Sequence, residues 1–276
     1  MKRRKRIYLI RFIIATLSVV LIAVPIYFMI IGGMMELAEI HRRPPYLVPP
    51  NPNLEYYRES ASLMKAPLRN SLIIAACVSA MTLLWAPLVG FGLGKLRIRG
   101  GLKGITLGLI FLLQLLPAVA IVTPLFLVFY RLGLVNTIWS VIIAVSAGQI
   151  PFSSLILATY MMSGIPTELL ESAYLDGASG LKIFTSIVLP LSRPALGTVA
   201  LLAFMAGWGE LILSMSFIQK KAFYPASVAM TAFTTVYGTQ WNLLMAAATL
   251  YALPPIVVAV VAGKQLASGL IAGALK

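Results

Sequence analysis

The residues of this chain whose types and spacing could support chemistry are few. The stretch Gly90–Lys95 reads Gly-Phe-Gly-Leu-Gly-Lys and superficially looks like a phosphate-binding loop. The phosphate-loop pattern also requires glycine at position 89 and serine or threonine at position 96, where the sequence has Val89 and Leu96. We therefore exclude nucleotide binding by this stretch. Gly90 and Gly94 have instead the spacing that lets two helices approach closely.

No group of residues has the spacing of a metal site or a catalytic set. The one cysteine, Cys77, lies in an apolar stretch, and the one histidine, His41, lies in a polar loop, so neither has the partners that a disulfide or metal site needs. Glu168, Glu171 and Asp176 lie close together in the sequence, but their positions fit helix capping and protein docking rather than an acid–base pair. We expect no catalytic residue, no metal site and no cofactor bound by this chain.

Polar side chains inside long apolar stretches form the other group of candidates. Such side chains are costly in lipid and usually face the interior of a helix bundle. Glu210 is the only acid well inside an apolar stretch. It would either line a pathway or contact a second membrane subunit, or else make a hydrogen bond in helix packing. The candidate pathway residues are Gln149, Ser153, Trp208, Glu210 and Ser214.

The composition indicates a membrane protein. Of 276 residues, 60% are hydrophobic and 11% are charged, whereas a soluble domain carries about 25% charged residues. Several apolar stretches exceed the roughly 18 residues that mark a membrane-spanning helix. The net charge of +14 comes from basic residues at the ends of these stretches. That placement fits the positive-inside rule better than nucleic-acid binding.

Six apolar stretches predict an all-α, polytopic membrane protein with six transmembrane helices. The first follows a basic N-terminus but exceeds the roughly 7–15 apolar residues of a signal peptide, and no cleavage site follows it, so we interpret it as an uncleaved helix. The predicted spans are Tyr8–Ile31, Ser71–Leu93, Ile105–Tyr130, Ile138–Met161, Pro194–Ile218 and Leu243–Val261. A proline-rich polar loop of nearly forty residues follows the first span, and residues 163–193 form a second long polar segment.

The distribution of basic residues predicts the orientation of these spans. The side that carries both termini holds 14 of the 22 lysines and arginines, and the opposite side holds 8. Both termini, and with them residues 163–193, are therefore predicted to be cytoplasmic. The segment 220–241 would lie outside, where its aromatic residues Phe223, Tyr224, Phe233 and Tyr237 would contact another protein or gate a pathway.

The polar segment 165–194 predicts a helix, a sharp turn and a second helix. Pro166 and Thr167 begin the first helix, and Glu168 lies in its first turn, where the helix dipole favours an acid. Gly177 and Gly180 are predicted to supply the positive φ that a tight turn needs. Small residues and acids near this turn suit docking by another protein. A loop that only links two spans is the alternative.

This segment resembles the EAA loop of ATP-binding-cassette (ABC) importer permeases. The family pattern is E-A-A-x-x-D-G-A, then F-x-x-I-x-L-P and a further proline. The matching residues are Glu171-Ser172-Ala173, Asp176-Gly177-Ala178, Phe184, Ile187, Leu189-Pro190 and Pro194. Ser172 in place of alanine is the one departure. The resemblance implies that coupling to an ATPase subunit is carried by Glu168, Glu171, Ser172, Ala173, Asp176, Gly177 and Ala178.

Most of the remaining chain is similar to the maltose-type carbohydrate permeases. The similar stretches are Pro44–Pro49, Leu54–Tyr57, Asn70–Leu72, Leu132–Thr137, Trp208–Glu210, Tyr237–Thr239, Leu253–Pro255 and Gly269–Lys276. Gly209 departs from the family, which has asparagine there. The resemblance implies a type I ABC importer permease fold with a single domain, 1–276. Its core helices would occupy about 70–263, and its cytoplasmic coupling segment would be 163–193.

The implied function is to form half of the translocation pathway for a carbohydrate: an oligosaccharide, a disaccharide or a polyol. The implied partners are a second permease, two nucleotide-binding subunits that use ATP and Mg²⁺, an extracytoplasmic solute-binding protein and the lipid bilayer of a prokaryotic cell membrane. No nucleic-acid partner is expected. An ABC permease for a non-sugar solute stays open as an alternative. An ion-coupled secondary transporter has less support, because it would need intramembrane carboxylates and often internal repeats.

Overall fold

The computed structural model of this protein describes residues 2–96, 100–236 and 238–274, and helices make up nearly all of it. The helices are α1 (Lys2–Gly32), α2 (Leu37–Ile40), α3 (Glu55–Lys95), α4 (Gly100–Leu115), α5 (Ala118–Arg131), α6 (Ile138–Gly164), α7 (Thr167–Leu175), α8 (Gly180–Ile183), α9 (Leu189–Leu191), α10 (Arg193–Gly209), α11 (Ile212–Phe217), α12 (Ala226–Ala229) and α13 (Trp241–Ala274). A π-helical turn, Phe184–Val188, joins α8 to α9. A short antiparallel hairpin pairs β1 (Thr234–Thr235) with β2 (Gly238–Thr239). The all-α class predicted from the sequence is confirmed.

Four of the described helices are long and apolar enough to cross a membrane. They are Ile10–Gly32, Glu55–Lys95, Ile138–Gly164 and Trp241–Gly263. Two bent helix pairs also qualify, Gly104–Leu115 with Val119–Arg131 and Gly180–Leu191 with Arg193–Gly209. The number of spans therefore reaches the predicted six when each bent pair is one span. The predicted first, fourth and sixth spans agree closely with α1, α6 and α13.

Three predicted helices differ from the structure: two are broken, and one begins earlier than predicted. The third span was expected to be continuous, but it breaks between α4 and α5, where Pro117 adopts an extended conformation and cannot donate a backbone hydrogen bond. The fifth breaks at Glu210, which has an extended ψ of 117°. The second begins at Glu55 rather than Ser71, because the Asn53 side chain accepts a hydrogen bond from the Glu55 N–H and so caps α3. Much of the predicted outer loop is therefore helical.

The chain divides into two compact units, Met1–Lys65 with Met230–Leu253 and Ala66–Ala229 with Pro254–Lys276. In the first unit, the Tyr57 hydroxyl donates to the carbonyl of Ile30, and the Ser60 hydroxyl donates to the carbonyl of Leu243. These bonds fix the start of α3 against the end of α1 and the start of α13. The single permease domain inferred from the resemblance stays a prediction. Arg97–Arg99, Tyr237, Leu275 and Lys276, which belong to segments discussed above, lie outside the described residues.

Two of the apolar cores in the second unit position the candidate site residues. One core joins α3, α5, α6 and α11 around residues such as Val78, Phe129 and Phe217. The other joins α3, α6, α7, α8 and α10 around residues such as Leu157 and Phe184. Because the second core includes the segment that resembles the EAA loop, it sets the position of that segment relative to the long helices.

Gly90 and Gly94 bring α3 and α6 into close contact in this second unit. A Cβ atom at Gly90 would lie 2.9 Å from the Cβ of Leu157, and one at Gly94 would lie 2.9 Å from the carbonyl oxygen of Ala158. Side chains larger than hydrogen would force the helices apart at both positions. The predicted role of the glycine spacing in close helix approach is confirmed, and the stretch that resembled a phosphate loop is a helix–helix contact.

Candidate coupling segment and pathway residues

The turn after α7 is a Schellman motif built around Gly177. Gly177 has a φ of +82°, a conformation that glycine adopts without a steric penalty. Its N–H donates to the carbonyl of Tyr174, and the N–H of Ala178 donates to the carbonyl of Ala173. These two bonds satisfy carbonyl groups that the end of the helix would otherwise leave unpaired. The prediction of a left-handed turn at Gly177 is therefore confirmed.

Gly180 does not have the predicted role in this turn, because only Gly177 of the two has a positive φ. Gly180 is the first residue of α8, and the preceding Ser179 caps that helix by accepting a hydrogen bond from the N–H of Lys182. An N-cap residue has an ordinary extended conformation, so a serine there completes the turn without a second glycine.

Buried apolar side chains anchor the segment to the long helices. Leu170 of α7, Ile183 of α8 and Val188 of the π-helical turn are all buried in the second core. The Phe184 ring packs on the Phe91 ring of α3, with ring centres 5.4 Å apart. A rigid attachment of this kind allows the segment to transmit a displacement instead of absorbing it.

The predicted coupling residues form the outer face of this anchored segment. Ala173 and Ala178 are half-buried beneath the turn, where they pack against the second core. The other predicted residues are exposed, namely Glu168, Glu171, Ser172, Asp176 and Gly177. All seven lie on α7 or in the turn that follows it, and we call this region, 168–178, the coupling surface.

Two leucines on or beside the coupling surface were missed by the sequence analysis. Leu175 is 90% exposed and Leu181 is 70% exposed, on either side of the Gly177 turn. The helical period gives a signal for Leu175, because Leu170 and Ala173 define the buried face of α7 and Leu175 lies well away from it. The two leucines add exposed apolar surface on both sides of the turn.

Lys95, the last residue of α3, was also missed. Its ammonium group donates a hydrogen bond of 2.6 Å to the carbonyl of Ile165, the residue that ends α6. Lys95 also lines a cleft of about 300 Å³ together with Leu170 and Glu171 of α7. A lysine at the end of an apolar span is typical of a charge at the membrane interface, so no sequence pattern predicts this contact.

Glu210 has a local structural role at the break between α10 and α11. Its carboxylate accepts a hydrogen bond of 2.8 Å from the N–H of Leu213 and so caps α11. Its carbonyl accepts hydrogen bonds from the hydroxyls of Ser214 and Ser227. This arrangement matches the interpretation of Glu210 as a helix-packing residue. Its role in a pathway stays a prediction.

The other predicted pathway residues lie on three helices, with Ser214 buried on α11. Trp208 is buried on α10 and stacks on Phe204, with ring centres 5.9 Å apart. Gln149 and Ser153 lie on α6, the first half-buried and the second fully buried. The structure joins only Glu210 and Ser214 of the five by a described hydrogen bond.

Two asparagines fix the loop after α11. The Asn136 carboxamide oxygen accepts hydrogen bonds from the N–H groups of Gln219 and Lys220, and the Asn70 amide donates to the carbonyls of Ala222 and Tyr224. The predicted aromatic surface of 220–241 is only partly present. Of the four aromatic residues named above, Phe223 is exposed, Tyr224 is half-buried, Phe233 is buried and Tyr237 lies outside the described residues.

Residues 86–271, which include the candidate coupling segment and all five pathway candidates, match the family described as binding-protein-dependent transport system inner membrane component. This chain belongs to that family. It is therefore a membrane-embedded transport subunit rather than an enzyme. Sequence relatives and solved structures agree with this assignment.

Alignments with two sequence relatives extend over most of this chain. It is 35% identical to the trehalose/maltose transport system permease protein MalG of Thermococcus litoralis, over 76% of this chain and 74% of that protein. It is 31% identical to the galactooligosaccharides transport system permease protein GanQ of Bacillus subtilis, over 83% of this chain and 82% of that protein.

Two solved structures share the fold of this transport component. A chain of a bacterial ABC transporter involved in the import of the acidic polysaccharide alginate matches with a TM-score of 0.77 at 21% identity, over 95% of this chain and 97% of that chain. A chain of the MetNI methionine ABC transporter in an inward-facing conformation matches with a TM-score of 0.63 at 13% identity, over 76% of this chain and 98% of that chain. The importer permease fold predicted from the sequence is confirmed.

Proposed function

We propose that this chain is the permease subunit of an ABC importer and forms half of the translocation pathway for an oligosaccharide, a disaccharide or a polyol. The observation that carries the proposal is the coupling surface: a Schellman turn that presents acids and small residues on a segment anchored in the core of α3, α6 and α10. The carbohydrate class is supported by relatives named for trehalose and maltose and for galactooligosaccharides.

The proposed mechanism is alternating access driven by a separate ATPase. A solute-binding protein delivers the substrate to the outer face. Closure of two nucleotide-binding subunits, which use ATP and Mg²⁺, displaces the coupling surface docked on one of them. The displacement moves α3, α6 and α10 together, because Leu170, Ile183 and Val188 of the coupling segment are buried among side chains of these helices. ATP shifts the equilibrium between inward- and outward-facing states only by as much as its affinity differs between them.

The remaining partners follow from the same proposal. A second permease would complete the pathway, with Gln149, Ser153, Trp208, Glu210 and Ser214 on this chain's side of it. The complex would lie in the lipid bilayer of a prokaryotic cell membrane, with both termini of this chain in the cytoplasm and no nucleic acid involved.

Uptake by the reconstituted complex tests this function. We expect proteoliposomes that contain this chain, its partner permease and its ATPase to import a labelled oligosaccharide only when the binding protein is outside and ATP is inside. Uptake should persist in the presence of ionophores that collapse ion gradients. Import of methionine but of no sugar would favour the non-sugar alternative, and uptake that needs an ion gradient and no ATP would favour the secondary transporter.

Cysteine labelling tests the proposed topology. In a Cys77→Ala background, Ser179→Cys should resist a membrane-impermeant thiol reagent in intact cells and react after the cells are opened, because Ser179 is exposed on the coupling segment. Val236→Cys is the matched control, since Val236 is 96% exposed in the segment predicted to lie outside. It should react in intact cells. Labelling of Ser179→Cys from outside would contradict the proposed orientation.

A further inference from the structure

Lys95 joins the ends of two helices that run in the same direction. Gly90 and Gly94 of α3 contact Leu157 and Ala158 of α6, so the two helices pack closely over their last turns. The Lys95 ammonium then reaches from the end of α3 to the carbonyl of Ile165 at the end of α6. The contact therefore lies where the negative ends of two helix dipoles converge.

Physical chemistry favours a cation at this position. The last carbonyl groups of a helix have no partner within the helix, and a lysine near a helix C-terminus satisfies them and interacts favourably with the dipole. A hydrogen bond from an ammonium group is stronger than one between neutral groups. Ile165 is buried and Lys95 is only half-exposed, so water competes poorly for this carbonyl.

The position of Ile165 gives the bond a mechanical consequence. Ile165 has an extended conformation and, with Pro166, forms the entire connection between α6 and α7. A group that holds this carbonyl fixes the point about which α7 would swing relative to α6. The ammonium group that holds this carbonyl belongs to Lys95, the final residue of α3, and most of α3 lies in the second unit.

We propose that Lys95 is a positioning residue for coupling. Its ammonium holds the α6–α7 junction against the end of α3, so that displacement of the coupling surface moves α3 instead of bending the junction. The expected effect of Lys95 on transport rests on the proposed function. The hydrogen bond itself has structural consequences that are measurable without transport.

The test uses the complete importer in lipid nanodiscs and proteoliposomes with Lys95→Met, which keeps the apolar stem and removes the donor, and Lys95→Arg, which keeps the charge. Lys65→Met is the matched control, because Lys65 is an exposed lysine on the same helix. Hydrogen–deuterium exchange of the amides of 165–178 reports the junction. Solute imported per ATP hydrolysed reports coupling.

We expect Lys95→Met to raise the exchange of the 165–178 amides about tenfold, the effect of losing one charge-assisted hydrogen bond. Solute imported per ATP should fall about fivefold or more while ATP hydrolysis continues. Lys95→Arg should restore most of both values, and Lys65→Met should change neither.

Unchanged exchange in Lys95→Met would overturn the proposal. The proposal would also be overturned if amide exchange rose while the solute imported per ATP hydrolysed stayed unchanged. Lys95 would then hold the junction without affecting coupling. If solute imported per ATP fell equally in Lys95→Met and Lys95→Arg, and the unfolding temperature fell in both, Lys95 would have a role in folding only. A wild-type complex that imports nothing would overturn the proposed function, and the exchange comparison would still decide whether Lys95 holds the junction.

Discussion

Replacing Gly177 by valine is expected to abolish coupling while leaving the chain inserted in the membrane. The φ of +82° at this position strains a β-branched residue by about 1–3 kcal/mol. The strain would be relieved by breaking the bonds from residues 177 and 178 to the carbonyls of Tyr174 and Ala173, so the coupling surface would lose its shape. Transport and binding-protein-stimulated ATP hydrolysis should both fall about tenfold or more. Co-purification of the partner permease should be unchanged, because Gly177 lies outside the long helices.

Gly177→Asn is the matched control for this substitution. Asparagine tolerates positive φ far better than valine. Among the described residues, and apart from its two chain neighbours, nothing lies within 4 Å of a Cβ atom at this position, so either side chain fits the isolated subunit. The asparagine variant should retain most of the transport. Equal loss in both variants would mean that side-chain bulk on the docking surface, and not the turn conformation, explains the defect. Normal transport by Gly177→Val would show that this turn is not the coupling element.

Replacing Gly90 by leucine is expected to destabilise the packing of α3 on α6. The new Cβ would lie 2.9 Å from the Cβ of Leu157 and 3.1 Å from the carbonyl oxygen of Ser154, neither of which is the free end of a flexible side chain. Overpacking of a close contact costs about 1–3 kcal/mol. We expect the unfolding temperature of the purified chain, followed by tryptophan fluorescence, to fall by about 5 °C or more.

Gly92→Leu is the control for Gly90→Leu because it lies on the same helix two positions away. Nothing lies within 4 Å of a Cβ placed at Gly92. Leucine is a better helix former than glycine by up to about 1 kcal/mol. Its unfolding temperature should therefore be unchanged or slightly raised. A similar fall in both variants would indicate that glycine at these positions serves helix flexibility rather than the contact with α6.

The candidate coupling segment shows how much local structure can be predicted from residue types. Pro166 and Thr167 predicted the start of α7 and Gly177 predicted its end, because the fixed φ of proline and the positive φ of glycine are local properties. Gly180 had no such local requirement, and it was wrongly assigned to the turn. The extension of α3 back to Glu55 was missed because the polar residues of its first turns mask a helix that the Asn53 side chain caps.

The sequence alone determined that this is an all-α membrane protein of the importer permease family with a left-handed turn at Gly177, because hydrophobic length and turn preferences are properties of neighbouring residues. Only the tertiary structure decided which residues meet across helices. The ammonium of Lys95 on the carbonyl of Ile165 and the glycines of α3 on Ala158 depend on how separate helices pack. The exposure of Leu175 and Leu181 was also decided by the tertiary structure, because it depends on which side chains the other helices cover.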